Sequence, residues 1–386
     1  MLPHRSVEPG GWDRVTVVLY GATGYTGGLV ARELKRRGVD HVLSGRDRSK
    51  LATLGEELGA PARAAPLENE HVLRELLEDA SAVINCAGPF TLAGDALVRA
   101  AIDTGTHYVD STGEQTFIKL VFDSHGPAAE RAGVALVPAL GFDYAPGDCV
   151  ARLAARGREP LEELVLGYAV KGFGMSRGTL RSGLEIMKGG DVVYEGGEWR
   201  PAPFGVFRAS FDFPEPIGRQ TMIRYPSGEV ITVPRHTRTK RVASMLTART
   251  SAPNALAARA MPYVQPGLEL SLRTPLRGVL SRAVDVLPKG PGEGARRAAE
   301  FTVVAVAHGE DGSTGRAVVR GSDVYGLTAV TLVHGAELMS APGYDRAGAL
   351  GPAAAFDPEA FLNHLSDHGV SWELARAGRD STRATS

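Results

Sequence analysis

The sequence predicts a doubly wound parallel α/β sheet followed by a mixed-sheet α+β domain. Three observations carry this prediction. Strand and helix patterns alternate through the first 150 residues, strand signals dominate after Pro146, and a glycine-rich turn joins the first strand to the first helix. At 386 residues the chain exceeds the roughly 100–200 residues of one domain, so two are expected.

The alternation begins with a β-branched apolar strand, Val15–Tyr20, and a helix that places Leu29, Val30 and Leu34 on one face. Strand His41–Ser44, helix Ser49–Leu58, strand Ala62–Ala65, helix Glu70–Glu78 and strand Ala82–Cys86 follow. Helix Gly94–Thr104, strand Tyr108–Asp110, helix His125–Ala132 and strand Val134–Ala139 complete the series. Such a βαβα order implies a parallel sheet with helices on both faces. A helix then runs from Pro146 to about Arg156, and strands are expected at Leu164–Val170, Ile217–Tyr225, Ile231–Val233, Phe301–Ala307 and Thr314–Gly321. The segment His308–Gly312 between the last two reads as a hairpin turn. Helices are expected at Thr179–Met187, Ala255–Ala260, Leu276–Val286 and Ala329–Met339, giving a mixed sheet with helices on one face. The expected boundaries are 1–150 for the first domain, 151–344 for the second and 377–386 for a flexible tail, with 345–376, including a helix at Pro358–Gly369, packing back on the first domain.

A formal net charge of -1 provides no global field for nucleic acid or an anionic membrane, so a small-molecule partner is expected. The two cysteines, Cys86 and Cys149, lack Cys-x-x-Cys or metal-ligand spacing, and neither a disulfide nor a metal is expected. Residues Met1–Arg14 have no signal-peptide apolar stretch and no later segment reaches membrane-span length, which points to the cytoplasm.

The turn reads Gly21-Ala22-Thr23-Gly24-Tyr25-Thr26-Gly27, between strand and helix, which is the context of a dinucleotide-binding Rossmann fold. Glycines let the backbone approach a pyrophosphate, and the helix N-terminus offers amides and a favourable dipole. About 20 residues on, where NAD-selective domains place an acidic residue on the ribose, the chain reads Ser44-Gly45-Arg46-Asp47-Arg48. Arg46 with Ser44 suits the 2′-phosphate of NADP(H), whereas a solvated Arg46 with Asp47 on the ribose is the alternative. Cys86-Ala87-Gly88-Pro89, after the fourth strand, are small enough to admit the nicotinamide ribose, and packing is the expected role of the Cys86 sulfur.

These motifs, with Tyr108-Val109-Asp110-Ser111-Thr112-Gly113-Glu114 and Gly141-Phe142-Asp143-Tyr144-Ala145-Pro146-Gly147-Asp148, resemble those of the saccharopine-dehydrogenase-like reductases. That group is similar to the trans-acting enoyl reductases of polyketide assembly, whose style the segments Ser176–Thr179 and Val233–His236 share. The resemblance implies NADP(H), a Rossmann domain joined to a mixed-sheet catalytic domain, and hydride chemistry in the cleft between them. Saccharopine-forming enzymes usually carry a larger C-terminal region, so lysine metabolism is not expected. Asp143-Tyr144-Ala145-Pro146 departs from the more usual Asp-Ser-x-Pro and leaves the role of Tyr144 open.

Hydride transfer needs a proton source and a donor to the developing charge. Tyr144 is the first candidate, with packing at the domain junction as its alternative. His236 is a titratable candidate and the adjoining Arg235 a cation for a substrate anion, against a structural role for both. Arg177, Arg181 and Lys188 lie on or near the Gly178 helix, with Arg177 read as a substrate ligand or part of a solvated face. Tyr325 is a further substrate candidate. Asp110 and Glu114 border the crevice and position substrate, with helix capping by Asp110 or Thr112 as the alternative. The leading expectation is an NADPH-dependent reductase acting on an activated double bond of a small metabolite, an enoyl thioester carried on CoA or a carrier protein first. A saccharopine-type imine or amine oxidoreductase and a non-catalytic NADP-binding sensor or scaffold are the alternatives. A homodimer is a base-rate expectation.

Overall fold

The computed structural model describes residues 16–186, 190–203, 207, 209–250 and 286–375, with isolated positions between 257 and 284. The N-terminal segment 1–14, Lys188, the tail 377–386 and, apart from isolated positions, the expected helices Ala255–Ala260 and Leu276–Val286 lie outside the described residues.

The first sheet is built from β1 (Val17–Tyr20), β2 (His41–Gly45), β3 (Ala62–Ala64), β4 (Ala82–Asn85), β5 (His107–Asp110) and β6 (Ala135–Val137). Its helices are α1 (Tyr25–Arg37), α2 (Arg48–Leu58), α3 (Glu70–Leu77), α4 (Phe90–Thr104), α5 (Gln115–Leu120) and α6 (Gly126–Ala132). Every pairing is parallel, in the order β6-β5-β4-β1-β2-β3. Strands covered on both faces must be apolar throughout, and all four residues of β1 are buried. Val17 and Leu19 enter one core with Val30 and Leu34 of α1, while Val18 and Tyr20 enter the other with Leu73 of α3 and Leu97 of α4. The strand order reverses between β1 and its neighbours β2 and β4, so the crevice at their carboxyl ends is where a ligand binds in such sheets.

From β6 the chain enters α7 (Ala145–Ala155), in which every residue but Arg152 is buried. Its small side chains let it lie against a second sheet, and the core containing Val17 and Leu19 continues through Cys149 and Leu153 to Val303, Ala305 and Val319. That second sheet contains β7 (Leu161–Lys171), β8 (Val192–Glu195), β9 (Glu198–Pro201), β10 (Ala209–Asp212), β11 (Arg219–Arg224), β12 (Arg241–Thr247), β13 (Glu300–Gly309) and β14 (Thr314–Ser322). Its path is β10-β11-β12-β7-β13-β14, mixed because β12 pairs with β7 in parallel, and the β8–β9 hairpin hangs from β12. Helices α8 (Arg177–Ile186), α9 (Glu229–His236), α10 (Glu293–Arg297) and α11 (Val324–Ser340) accompany it. The closing segment serves both sheets: β15 (Gly348–Ala349) pairs with β6, and after α12 (Pro352–Ala355) and α13 (Pro358–Ser366), β16 (Ser371–Ala375) pairs with β14.

One expected strand is corrected. Ile231–Val233 is β-branched, yet it forms the middle of helix α9, with Ile231, Thr232 and Val233 all buried. Local propensity is a weak preference that packing against α7 overrides.

Candidate active site

A cleft of about 710 Å3 opens at the carboxyl ends of β1, β2 and β4 and is covered from the second sheet by α8. Gly21, Thr23, Gly24, Tyr25, Thr26 and Arg46 line one side of it, and Cys86, Ala87, Gly88 and Pro89 the next. Gly24 caps α1 without a side-chain hydrogen bond, which leaves the first amides of the helix facing an incoming anion. Gly21 holds φ +81°, and a Cβ there would stand 2.8 Å from the Ala87 nitrogen and 2.9 Å from the Cys86 carbonyl carbon. A Cβ on Gly27 would run into the Gly21 carbonyl. The turn is therefore as thin as a backbone can be and fits a bound diphosphate.

Arg46 is exposed at the rim of this cleft. Asp47, its rival for the ribose, is committed elsewhere. Its carboxylate caps α2 by accepting the Lys50 amide at 3.1 Å and also takes the Ser49 hydroxyl and the Lys50 ammonium, which hold it well below the usual carboxylate range. Ser44 requires a correction, because its buried hydroxyl donates to the Arg63 carbonyl at 2.7 Å and does not line the cleft. Its own carbonyl instead accepts the amides of Gly21 and Ala22 at 2.9 and 3.1 Å, so Ser44 shapes the turn through its backbone. Burial pushes the Cys86 thiol up to about 12, and a thiol that keeps its proton is a packing group rather than a nucleophile.

Glu114 ties the far wall together. Its buried carboxylate accepts the amides of Phe90 and Thr91 at 2.8 and 2.7 Å, capping α4, and the Ser182 hydroxyl of α8 at 2.6 Å. This carboxylate is a cap and an inter-sheet strut. Ser182 in turn lies 3.4 Å from where a Cβ on Gly88 would be. On α8 and beside it, Ser176, Arg177, Gly178, Arg181 and Glu185, with Lys289, face the glycine turn. Arg177, expected at the substrate, is thus placed opposite the nucleotide-binding turn. Asp110 is structural: it accepts Tyr108 Oη and the amides of Thr112 and Ala139, each at 2.9 Å, while burial pushes it up to about 7.

Four other expected site residues do not line the cleft. Tyr144 is buried, its phenol donating to the Gly113 carbonyl at 3.0 Å, so it packs at the junction of the sheets. His236 lies in a buried pair with Asp148 at 3.1 Å. Arg235 is stacked between Phe122 and Trp199, 4.4 Å from each ring centroid, and bonded to Asp123 at 2.9 Å. Tyr325 meets Tyr25 edge to face at 5.0 Å and accepts the Ser176 amide at 2.8 Å, a strut behind the cleft wall. Each has spent its polar group inside the protein. Lys289 and Ser182 were not legible as site residues, because neither adjoins a motif and both reach the cleft only through the tertiary fold. Among the described residues no helix is long and apolar enough to cross a membrane.

Residues 17–139 match the family model described as the Saccharopine dehydrogenase NADP binding domain. A trans-acting enoyl reductase of Mycobacterium ulcerans is 34% identical over 139 residues, covering 34% of this chain and 33% of its own. A saccharopine dehydrogenase-like oxidoreductase of Bos taurus is 31% identical over 151 residues, covering 34% and 35%. Matches of this kind span less than half the length of the curated relatives, up to 44%. The apo saccharopine dehydrogenase (L-Glu forming) of Saccharomyces cerevisiae superposes with a TM-score of 0.61 at 13% identity, over 94% of this chain and 100% of that one, a likeness of fold.

Proposed function

We propose, for a chain that carries a saccharopine dehydrogenase NADP binding domain over residues 17–139, an NADPH-dependent reductase that adds hydride to an activated double bond. The observation that carries this reading is the cleft with a glycine turn and Arg46 on one wall and Arg177, Arg181 and Lys289 on the other. The cofactor, when bound, supplies the hydride. Arg46 holds the 2′-phosphate, the amides of Tyr25 and Thr26 meet the diphosphate, and Cys86–Pro89 leave room for the nicotinamide ribose. Arg177 and Arg181 add positive charge over the diphosphate, so we move Arg177 from substrate to cofactor. Exclusion of water falls to α8, held down by Ser182 on Glu114.

An enoyl thioester on CoA or a carrier protein is the first substrate class, favoured by the name of the mycobacterial relative. NADPH oxidation is to be measured, with NADH in parallel, against enoyl thioesters and against 2-oxo acids mixed with amines. Thioester turnover supports the proposal, turnover with the second panel alone replaces it by carbon–nitrogen reduction, and tight NADPH binding without turnover of either replaces it by a sensor. We place the protein in the cytoplasm as a homodimer; recovery in a membrane or lipid-droplet fraction, or a monomeric mass by light scattering, overturns the respective part.

Arg46→Ala tests the 2′-phosphate assignment. A hydrogen bond to a charged group contributes about 1.5–3 kcal/mol, so NADPH should bind roughly 10- to 100-fold more weakly while NADH affinity stays as it was. Equal losses for both nucleotides, read by nicotinamide fluorescence, would remove Arg46 from the 2′-phosphate.

A further inference from the structure

The two ends of the nucleotide cleft differ in chemistry, and the course of α8 shows how. Its first residue, Arg177, is tied to the glycine-turn side, donating its amide to the Lys289 carbonyl at 3.0 Å. The loop that carries Lys289 rests on that turn: a Cβ on Gly290 would stand 2.5 Å from the Tyr25 ring, and the Tyr25 phenol donates to the Pro291 carbonyl at 2.7 Å. Further along α8, Ser182 donates to Glu114, the carboxylate that caps α4 through the amides of Phe90 and Thr91. A helix advances about 1.5 Å per residue, so α8 runs from the glycine turn to the head of α4. Leu184, past Ser182, therefore lines the cleft at its α4 end.

At that end the lining turns apolar. Leu92 and Ala93, in the first turn of α4, give their amides to the Pro89 carbonyl at 3.2 and 3.1 Å, so both stand directly beyond the turn assigned to the nicotinamide ribose. Leu92 is 66% exposed, in a helix whose Phe90 and Leu97 are buried. Leu184 comes from α8, none of whose residues is buried. Pro89, Leu92, Ala93 and Leu184 line the one cleft together. A lone exposed leucine is ordinary on a protein surface. Here two leucines, one from a helix of each sheet, border the same opening. These four side chains offer neither charge nor hydrogen bond to a carboxylate or an amine, and a surface of this kind selects by the apolar area it removes from water.

We propose, resting on the reductase reading above, that this lip holds the aliphatic chain of the substrate: the thioester end lies at the nicotinamide turn, and the chain leaves the cleft between Leu92 of α4 and Leu184 of α8. The substrate class narrows from activated double bonds at large to enoyl thioesters with an apolar chain, and selectivity rises with chain length. Arg177 and Arg181, nearer the start of α8, keep to the diphosphate. The lip binds and orients, and it adds no chemical step of its own.

Thioesters of N-acetylcysteamine are the probes, because CoA carries an adenine nucleotide of its own that would compete with NADPH for the other end of the cleft. With the full chain and NADPH, kcat/KM should rise roughly two- to fourfold per methylene from butenoyl to octenoyl, fourfold corresponding to the about 0.8 kcal/mol of a fully buried methylene. Leu92→Ser and Leu184→Ser should each flatten that slope, and the double variant should bring octenoyl close to butenoyl. Neither side chain is buried, so the fold tolerates both changes, and NADPH affinity by nicotinamide fluorescence reports that the cleft is intact. Independently of turnover, the saturated thioesters from butanoyl to octanoyl should bind, with NADPH present, more tightly by the same factor per methylene. In Leu92→Trp, octanoyl thioester should shift the added indole emission to shorter wavelength. Affinity independent of chain length, a slope unchanged in both serine variants, or an indole that octanoyl thioester leaves unmoved overturns the proposal. If wild type reduces no thioester, the reductase reading fails, while the saturated series still decides whether the lip takes an apolar chain.

Discussion

Asp148→Ala should destabilise the protein by about 3–5 kcal/mol, the range for removing one partner of a buried charged pair. Asp148 is fully buried on α7, and three groups from two other helices, α9 and α12, converge on its carboxylate. Oδ1 accepts the Thr232 hydroxyl at 2.6 Å and faces His236 Nε2 of α9 at 3.1 Å, while Oδ2 accepts the Ala353 amide of α12 at 2.8 Å. Alanine leaves all three polar groups buried without this partner. Asp148→Asn keeps the shape and part of the acceptor capacity, so it should lose less.

The pH dependence follows from the same geometry. Burial disfavours the Asp148 carboxylate, but His236, Thr232 and Ala353 more than offset it and hold the group below its ordinary range. A carboxylate with a depressed folded pKa contributes stability above its unfolded pKa of about 3.9 and loses that contribution as pH falls through the folded value. The gap between wild type and Asp148→Ala in urea unfolding should therefore be full at neutral pH and shrink below about pH 4. Equal stability of the two proteins at pH 7 would show that the cluster does not hold α7, α9 and α12 together.

The nucleotide-binding half was legible because its information is local. Gly21 to Gly27, Arg46 and Cys86 to Pro89 each follow a strand by a few residues, and a parallel sheet brings strand ends to one edge. The sequence left Arg235 and His236 open, because the groups they bond, Asp123 and Asp148, stand 112 and 88 residues away. An arginine beside a histidine looks the same whether it awaits a substrate or lies between two aromatic rings. Ser44 failed for a subtler reason: strand residues alternate in direction, and β3 supplies the Arg63 carbonyl that turns its hydroxyl away from the cleft. Glu114 was expected to position substrate, but the amides of Phe90 and Thr91 and the hydroxyl of Ser182, 68 residues on, take up its carboxylate as a cap and strut. Helix α9 was hidden by a β-branched triplet whose fate depends on burial against α7.

Gly21→Ala should weaken NADPH binding by at least about 100-fold, roughly 2.7 kcal/mol, and also destabilise the fold. Two costs add. A left-handed backbone costs an L-residue about 1–2 kcal/mol, and Gly21 sits at φ +81°. The new Cβ would also press on backbone atoms at 2.8 and 2.9 Å, the Ala87 nitrogen and Cys86 carbonyl carbon, which cannot swing aside as a flexible side chain would. The turn after β4 must move, and that turn is the opposite wall of the nucleotide cleft. Gly38→Ala separates the two costs. Gly38 has φ +70° at the end of α1, with nothing within 4 Å of its Cβ position, so it incurs the conformational term alone. It should lose about 1–2 kcal/mol of stability and bind NADPH as wild type does. If Gly21→Ala bound NADPH no worse than Gly38→Ala, the close approach of the two turns would not shape the site, and the diphosphate would have to lie elsewhere.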